Sequence, residues 1–242
     1  VISKEQFLAP IKNAIEKSVN FRPWDGYIHP SALYECPMVW YNHYHGLKQK
    51  QPNFATASIL LHGTALHEKY QKVLTDFGNL IAEEYPIVFE EQRLCGAVDG
   101  ILEYEENGSK IKIVTDIKTV DGDKFREIPD DSPFITHELQ LMFYIFMLKN
   151  SPLSSYRDVE DYGYILYVNR QYAVLDARPV FLRDDVIAQV MAKVNHFFDS
   201  IHAQTVPTEY LRCDTAQACG NCRFQKKKAK EYLNESVQRL RR

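Results

Sequence analysis

The chain has 242 residues, 45% hydrophobic and 25% charged, enough for one large domain with a buried core. Its longest apolar run, residues 141–148, is far short of the ~20 residues that span a bilayer. Its ten glycines and eleven prolines are too few for a low-complexity chain. The net charge of −3 is unevenly spread: residues 212–242 hold nine Lys/Arg against three Asp/Glu, leaving −9 on residues 1–211. That asymmetry suggests a basic contact surface near the C-terminus, the alternative being a solvated helix face.

Residues 4–19 place Leu8, Ile11, Ile15 and Val19 at helical spacing, with Pro10 in the first turns. A second helix is expected over 28–46, capped at Ser31, bent at Pro37 and stopped at Gly46. A longer one follows over 54–77, with Leu60, Leu61, Ala65, Tyr70 and Leu74 as its apolar positions. The pattern then turns to strands, 80–91, 93–105 and 110–120, rich in β-branched and aromatic residues. The ENGS turn at 106–109 predicts an antiparallel hairpin between the last two. A polar stretch covers 121–134. Residues 135–149 read as a helix, 161–169 as a buried strand, 173–180 as a further strand, and 182–203 as an amphipathic helix. A basic helix is expected over 223–241. Helix, three strands, helix, strand is a mixed α/β order with helices packed on a sheet.

Asp116 and Lys118, at i and i+2 on one strand, point to the same face. Asp99, within GAVDG, becomes a near cross-strand neighbour of Asp116 through the hairpin. Two carboxylates and an ammonium on one sheet face suggest Mg²⁺ or Mn²⁺ beside a phosphate, against the simpler reading of a structural ion pair. His67 ends GTALH on the preceding helix, where a neutral imidazole can complete a metal shell. Gln140 and Tyr144, i and i+4 on the following helix, share a face and can reach a substrate strand or the lysine. Ordinary packing explains Tyr144 equally well, and Leu141, Phe143, Ile145 and Phe146 are expected in the core.

Five cysteines without the charged, apolar start of a secretory signal argue against a disulfide framework and for a cytoplasmic setting. Cys213, Cys219 and Cys222 are spaced C-x5-C-x2-C, which suggests a metal or iron–sulfur site in need of a fourth ligand. Cys36 and Cys95 are the candidates. Cys95 has the side-chain parity of Asp99, and its simplest reading is a small buried hydrophobe.

GTALH with His67, GAVDG with Asp99, DIK with Asp116 and Lys118, and QLMFY with Gln140 and Tyr144 occur in an order that resembles the RecB-type PD-(D/E)XK exonucleases. The stretch from Ser31 through Cys36-Pro37 to Trp40-Tyr41 resembles the helix that opens those families. The cysteines resemble the iron–sulfur subset, which includes the Cas-four family associated with CRISPR systems and its viral relatives. The likeness covers about residues 28–225. Two features depart from it: the last acidic pair carries Asp116 where many members have Glu, and the C-terminal cysteine spacings run in the reverse of the usual C-x2-C-x5-C order.

The resemblance implies a restriction-endonuclease-like α/β core, a mixed central sheet flanked by helices, with an iron–sulfur subdomain formed by both chain ends. The divisions would be an N-terminal helical region at 1–52, a nuclease core at 53–180 and C-terminal helices with the cysteine segment at 181–242. His67, Asp99, Asp116 and the Ile117 carbonyl would hold Mg²⁺ or Mn²⁺. Lys118 would orient water and steady the phosphate, and Gln140 and Tyr144 would support the site. Cys36 would join Cys213, Cys219 and Cys222 on a [4Fe–4S] cluster, structural zinc being the alternative. Joining Cys36 to Cys213 would stabilise by about 4–5 kcal/mol from loop closure. The implied function is a metal-dependent DNA exonuclease, acting on single strands or ends, in the cytoplasm or a viral host's interior. The alternatives are a non-catalytic subunit of a CRISPR adaptation or recombination and repair assembly, and an endonuclease of the same superfamily. The basic segment Arg223–Lys230 would track a DNA backbone.

Overall fold

Alternating β-branched segments and a two-residue turn build the centre of the molecule. A computed structural model describes residues 3–19, 22–46, 51–77, 79–172 and 174–205. Cys213, Cys219, Cys222, the segment Arg223–Lys230 and the expected helix over 223–241 lie outside the described residues. Among the described residues, β1 (Leu80–Phe89), β2 (Leu94–Glu106), β3 (Ser109–Val120), β4 (Tyr162–Asn169) and β5 (Leu175–Phe181) form one sheet in chain order. Asn107 and Gly108, at φ 52° and 78°, make the tight β2–β3 turn that pairs Glu106 with Ser109. Two positive-φ residues are what a type I′ hairpin needs.

β3 and β4 are parallel, while the other neighbours are antiparallel. A parallel pair requires a crossover, and α5 (Ile135–Asn150) supplies it. Leu141, Met142, Phe143, Ile145, Met147 and Leu148 of α5 are fully buried, so this helix is apolar nearly all round. It packs against the sheet on one side and the segment at Pro30 on the other.

The remaining helices frame this core. Ser3 and Gln6 form a reciprocal capping box that starts α1 (Lys4–Ser18), none of whose residues is buried. Residues 28–46 are not one helix: a short 3₁₀ turn (Pro30–Ala32) precedes α2 (Pro37–Tyr44). Ser31 therefore sits inside the turn rather than capping a helix. Pro37 opens α2, where its missing N–H costs nothing, and Cys36 is the N-cap residue. α3 (Phe54–Phe77) lies along β1 and β3, yet Leu60 and Leu61 are about half exposed, and Ala65 is exposed too. Among its described residues Ala57 and Gln71 are buried, and Gln71 meets polar groups of the sheet, the Glu84 carboxylate and the Asp99 carbonyl. Residues 121–134 contain α4 (Gly122–Arg126), capped by the Asp121 carboxylate accepting from the Lys124 N–H. In α6 (Asp184–His202), Ile187, Met191, Val194, Phe197 and Phe198 are buried. Phe197 meets the rings of Trp40 and Trp24 edge-on. No helix among the described residues is long and apolar enough to cross a membrane.

Candidate active site

The β2–β3 ladder is paired from the turn as far as Gly100 with Thr115. Beyond that pair the Asp99 side chain takes over: its Oδ2 accepts a hydrogen bond from the Ile117 N–H at 2.7 Å. The hairpin thus brings Asp99 next to the Asp116–Lys118 segment, as the turn predicts. α3 adds His67, whose Nε2 lies 2.8 Å from the same Asp99 oxygen. Lys118 Nζ stands 2.7 Å from Asp116 Oδ2, confirming that the two side chains share a face. From α5, Gln140 Nε2 donates to Asp116 Oδ1 at 3.0 Å. Tyr144 lies beside Gln140, with its ring against Gly96 of β2. Ile117 lines an adjoining cleft together with His67 and Lys118.

Electrostatics set this group apart from a surface ion pair. Asp116 is fully buried. Burial drives its carboxyl up to about 7, with Lys118 opposing and Asp99 adding to the rise. Burial weakens the Lys118 ammonium, but Asp116 and then Asp99 outweigh it, so its pKa is raised. The hydrogen bond to Asp99 is the chief reason the His67 imidazole holds its proton above the ordinary range, against the effect of burial. Burial likewise raises the Tyr144 phenol.

Asp116 Oδ2 makes no aligned hydrogen bond, and the Lys118 ammonium lies 2.7 Å from it. The ligand atoms of His67, Glu84 and Asp99 lie within 4.8 Å of one another beside the buried Asp116, and carboxylates with an imidazole are donors that suit a hard divalent cation. Such an ion would offset the desolvation and like-charge repulsion that raise Asp116.

Two residues that the sequence reading did not single out belong to the same cluster. Glu84 of β1 sits at a gap in the β1–β2 register, between Glu83↔Gly100 and Tyr85↔Val98, with φ 45°. Its Oε1 lies 3.9 Å from His67 Nδ1. Gln71, one helical turn beyond His67, donates through Nε2 to Glu84 Oε1 at 2.7 Å and to the Asp99 carbonyl at 3.2 Å. The i, i+4 spacing of His67 and Gln71 was the available signal for Gln71. The paired acids at 83 and 84 do not say which of them faces the site.

The adjoining cleft has a volume of about 690 Å³ and carries Lys124, Arg170, Phe134 and His137 on its walls. It offers cations and aromatic rings next to the carboxylates. Cys95 is only half-buried, contrary to the simple buried reading: its thiol lies 3.6 Å from His29 Nε2 and 3.8 Å from Asp25 Oδ2. Burial, and then Asp25, push that thiol up to about 12. Cys36 is also part-exposed, and Lys193 of α6 donates to the Leu33 and Glu35 carbonyls just ahead of it.

No protein-family model matches the chain. Its fold is similar to that of an alkaline exonuclease, LHK-Exo from Laribacter hongkongensis: 12% identity, 77% of this chain and 92% of that one covered, TM-score 0.50. A structure named SSO0001 aligns over 90% of this chain and 91% of its own at 21% identity and a TM-score of 0.49. At 12% identity the likeness to the exonuclease is one of fold alone: a five-stranded mixed sheet flanked by helices.

Proposed function

We propose that this chain is a divalent-metal-dependent deoxyribonuclease that hydrolyses phosphodiester bonds as an exonuclease, on single-stranded DNA or DNA ends. The observation that carries the reading is that two strands and two helices set two carboxylates side by side, Asp99 held by His67 and the Ile117 N–H, and the fully buried Asp116 held by Lys118 and Gln140. A purely structural ion pair would not need so costly an arrangement. The fold likeness to an exonuclease is compatible with this, and the chemistry of the side chains supports it.

Asp99, Asp116, His67 and the Ile117 carbonyl would hold Mg²⁺ or Mn²⁺, which supplies Lewis-acid stabilisation of charge on the scissile phosphate. Lys118 carries a full ammonium at neutral pH and would donate to a phosphate oxygen or hold the attacking water. Gln140 fixes the Asp116 carboxylate from behind, and Tyr144 wedges α5 against β2. Lys124 and Arg170 would receive backbone phosphates of the strand in the cleft, with Phe134 available for base stacking.

In the same reading, Cys36 joins Cys213, Cys219 and Cys222 on a [4Fe–4S] cluster, with zinc as the alternative. Its support is the position of Cys36 at the start of α2, fastened by Lys193 to α6, after which the chain bearing the other three cysteines continues. The cluster would close the two ends around a core spanning 53–180.

Purified protein incubated with end-labelled linear and with circular single-stranded DNA, with and without Mg²⁺ or Mn²⁺, tests the activity. Metal-dependent shortening of the linear strand, abolished by Asp99→Ala, is the expected result. Inertness toward both substrates would sink the enzymatic reading in favour of a binding subunit, and rapid opening of the circle would make it an endonuclease. A visible absorbance band lost in Cys36→Ala separates iron–sulfur from zinc.

A further inference from the structure

Each ring nitrogen of His67 faces a different carboxylate. Nε2 lies 2.8 Å from Asp99 Oδ2, and Nδ1 lies 3.9 Å from Glu84 Oε1. Glu84 is not left to chance: Gln71, 3% exposed, holds its Oε1 at 2.7 Å and ties it to the Asp99 main chain at 3.2 Å. The backbone at Glu84 lies in the left-handed region, at the unpaired position between Glu83↔Gly100 and Tyr85↔Val98, directly across from Asp99. Such a conformation costs about 1–3 kcal/mol in a non-glycine residue and needs support from its surroundings.

An imidazole nitrogen cannot carry a proton and a metal at once. If His67 ligates beside Asp99 through Nε2, the ring proton has to sit on Nδ1, the side of Glu84. Metal-bound histidines commonly give that second N–H to a carboxylate, which fixes tautomer and ring orientation and raises ligand basicity. We infer that Glu84, braced by Gln71, is the positioning residue for His67: with the cation on Nε2, the 3.9 Å gap closes and Glu84 receives the Nδ1–H. Although its oxygen lies within 4.8 Å of the His67 and Asp99 ligand atoms, Glu84 in this inference acts through His67 and not on the metal. This inference rests on the metal-dependent reading above and names a part of the site that the motifs do not contain.

The test measures Mn²⁺ affinity of the full chain by electron paramagnetic resonance, with Asp99→Ala defining the site, and reads the His67 tautomer in the Mg²⁺-loaded protein by ¹⁵N NMR. Glu84→Gly removes the carboxylate yet suits the left-handed backbone, so it keeps the fold. Glu84→Gln retains an oxygen that accepts the Nδ1–H. The expected result is an affinity loss of about 10–100-fold for Glu84→Gly, little change for Glu84→Gln, and a protonated Nδ1 in the wild type. Unchanged affinity in Glu84→Gly overturns the role of Glu84 alone. So does an equal loss in Glu84→Gln, which would make Glu84 a direct ligand, or a proton that stays on Nε2. A wild type that takes up no Mn²⁺ at the Asp99-dependent site overturns the metal reading and this inference with it.

Discussion

Lys118 and Asp116 are the residues whose removal should be felt most. Lys118→Met deletes the ammonium that lies 2.7 Å from the buried Asp116 Oδ2. Loss of such an electrostatic partner is expected to lower DNA cleavage by at least about a hundredfold, checked by single-turnover digestion at saturating Mg²⁺. A pH effect follows from Asp116 itself. Its folded-state pKa is raised above the ordinary carboxylate value, chiefly by burial, to about 7. The carboxyl therefore contributes stability that is full below about 4 and is lost as pH rises through about 7. In metal-free protein, urea melts from pH 5 to 8 should show this loss, and Asp116→Asn should flatten it. His137 acts in the opposite direction. Burial holds its imidazole down at about 4, with Lys118 and Lys124 adding to the effect. Its neutral ring stabilises the fold above pH 6.5, and that contribution, at most about 3 kcal/mol, is lost as pH falls through about 4. His137→Phe should flatten the acid limb of the same melts, although it gives up the 2.9 Å contact of Nδ1 with the Tyr167 hydroxyl.

At the scale of elements, β2 is the strand on which the site is hung. It pairs with β1 and β3, supplies Asp99, and lets α5 approach closely at Gly96. A Cβ at Gly96 would stand 2.8 Å from the Tyr144 ring and 3.2 Å from the Pro30 ring. Gly96→Ala is expected to push α5 outward and cost about 1–3 kcal/mol, read as a lower urea midpoint with unchanged slope. It should also reduce cleavage, because Gln140 rides on the same helix as Tyr144. The hairpin, α5 and α6 were legible in the sequence because local signals determine them: the turn residues 107–108, the long apolar run and the strong helical period. α3 was placed correctly but its inward face was not. Leu60 and Leu61 look like core by composition, whereas the buried positions among the described residues are Ala57 and the polar Gln71. A helix that faces a polar site violates the rule that apolar residues mark the inside. The segment at 28–46 differs for another reason: Pro37 reads equally as a kink or as a first helical residue, and in the structure it opens α2.

For the whole molecule, a cation bound at Asp99 and Asp116 should couple to stability. Anything that binds the folded chain alone stabilises it by RT ln(1 + [L]/Kd), about 2.7 kcal/mol at a hundred times Kd. Mg²⁺ or Mn²⁺ is therefore expected to raise the melting temperature of the wild type at pH 8, where the Asp116 charge is most costly, and to leave Asp99→Ala unmoved. Calorimetry with EDTA as the reference checks this. The sequence by itself determined the order of elements, the hairpin, and the sharing of a face by Asp116 and Lys118, because strand parity and turn chemistry are local. It also indicated His67 and Gln140 through their place in an ordered set of motifs. Only the tertiary structure decided that Asp99 bonds the Ile117 N–H, that Gln140 reaches the far side of Asp116, and that Glu84 stands across from Asp99 behind His67. Those contacts join residues far apart along the chain. Their distances depend on how helices seat on a twisted sheet and on one irregular backbone position in β1, and neither is written in any local stretch of sequence.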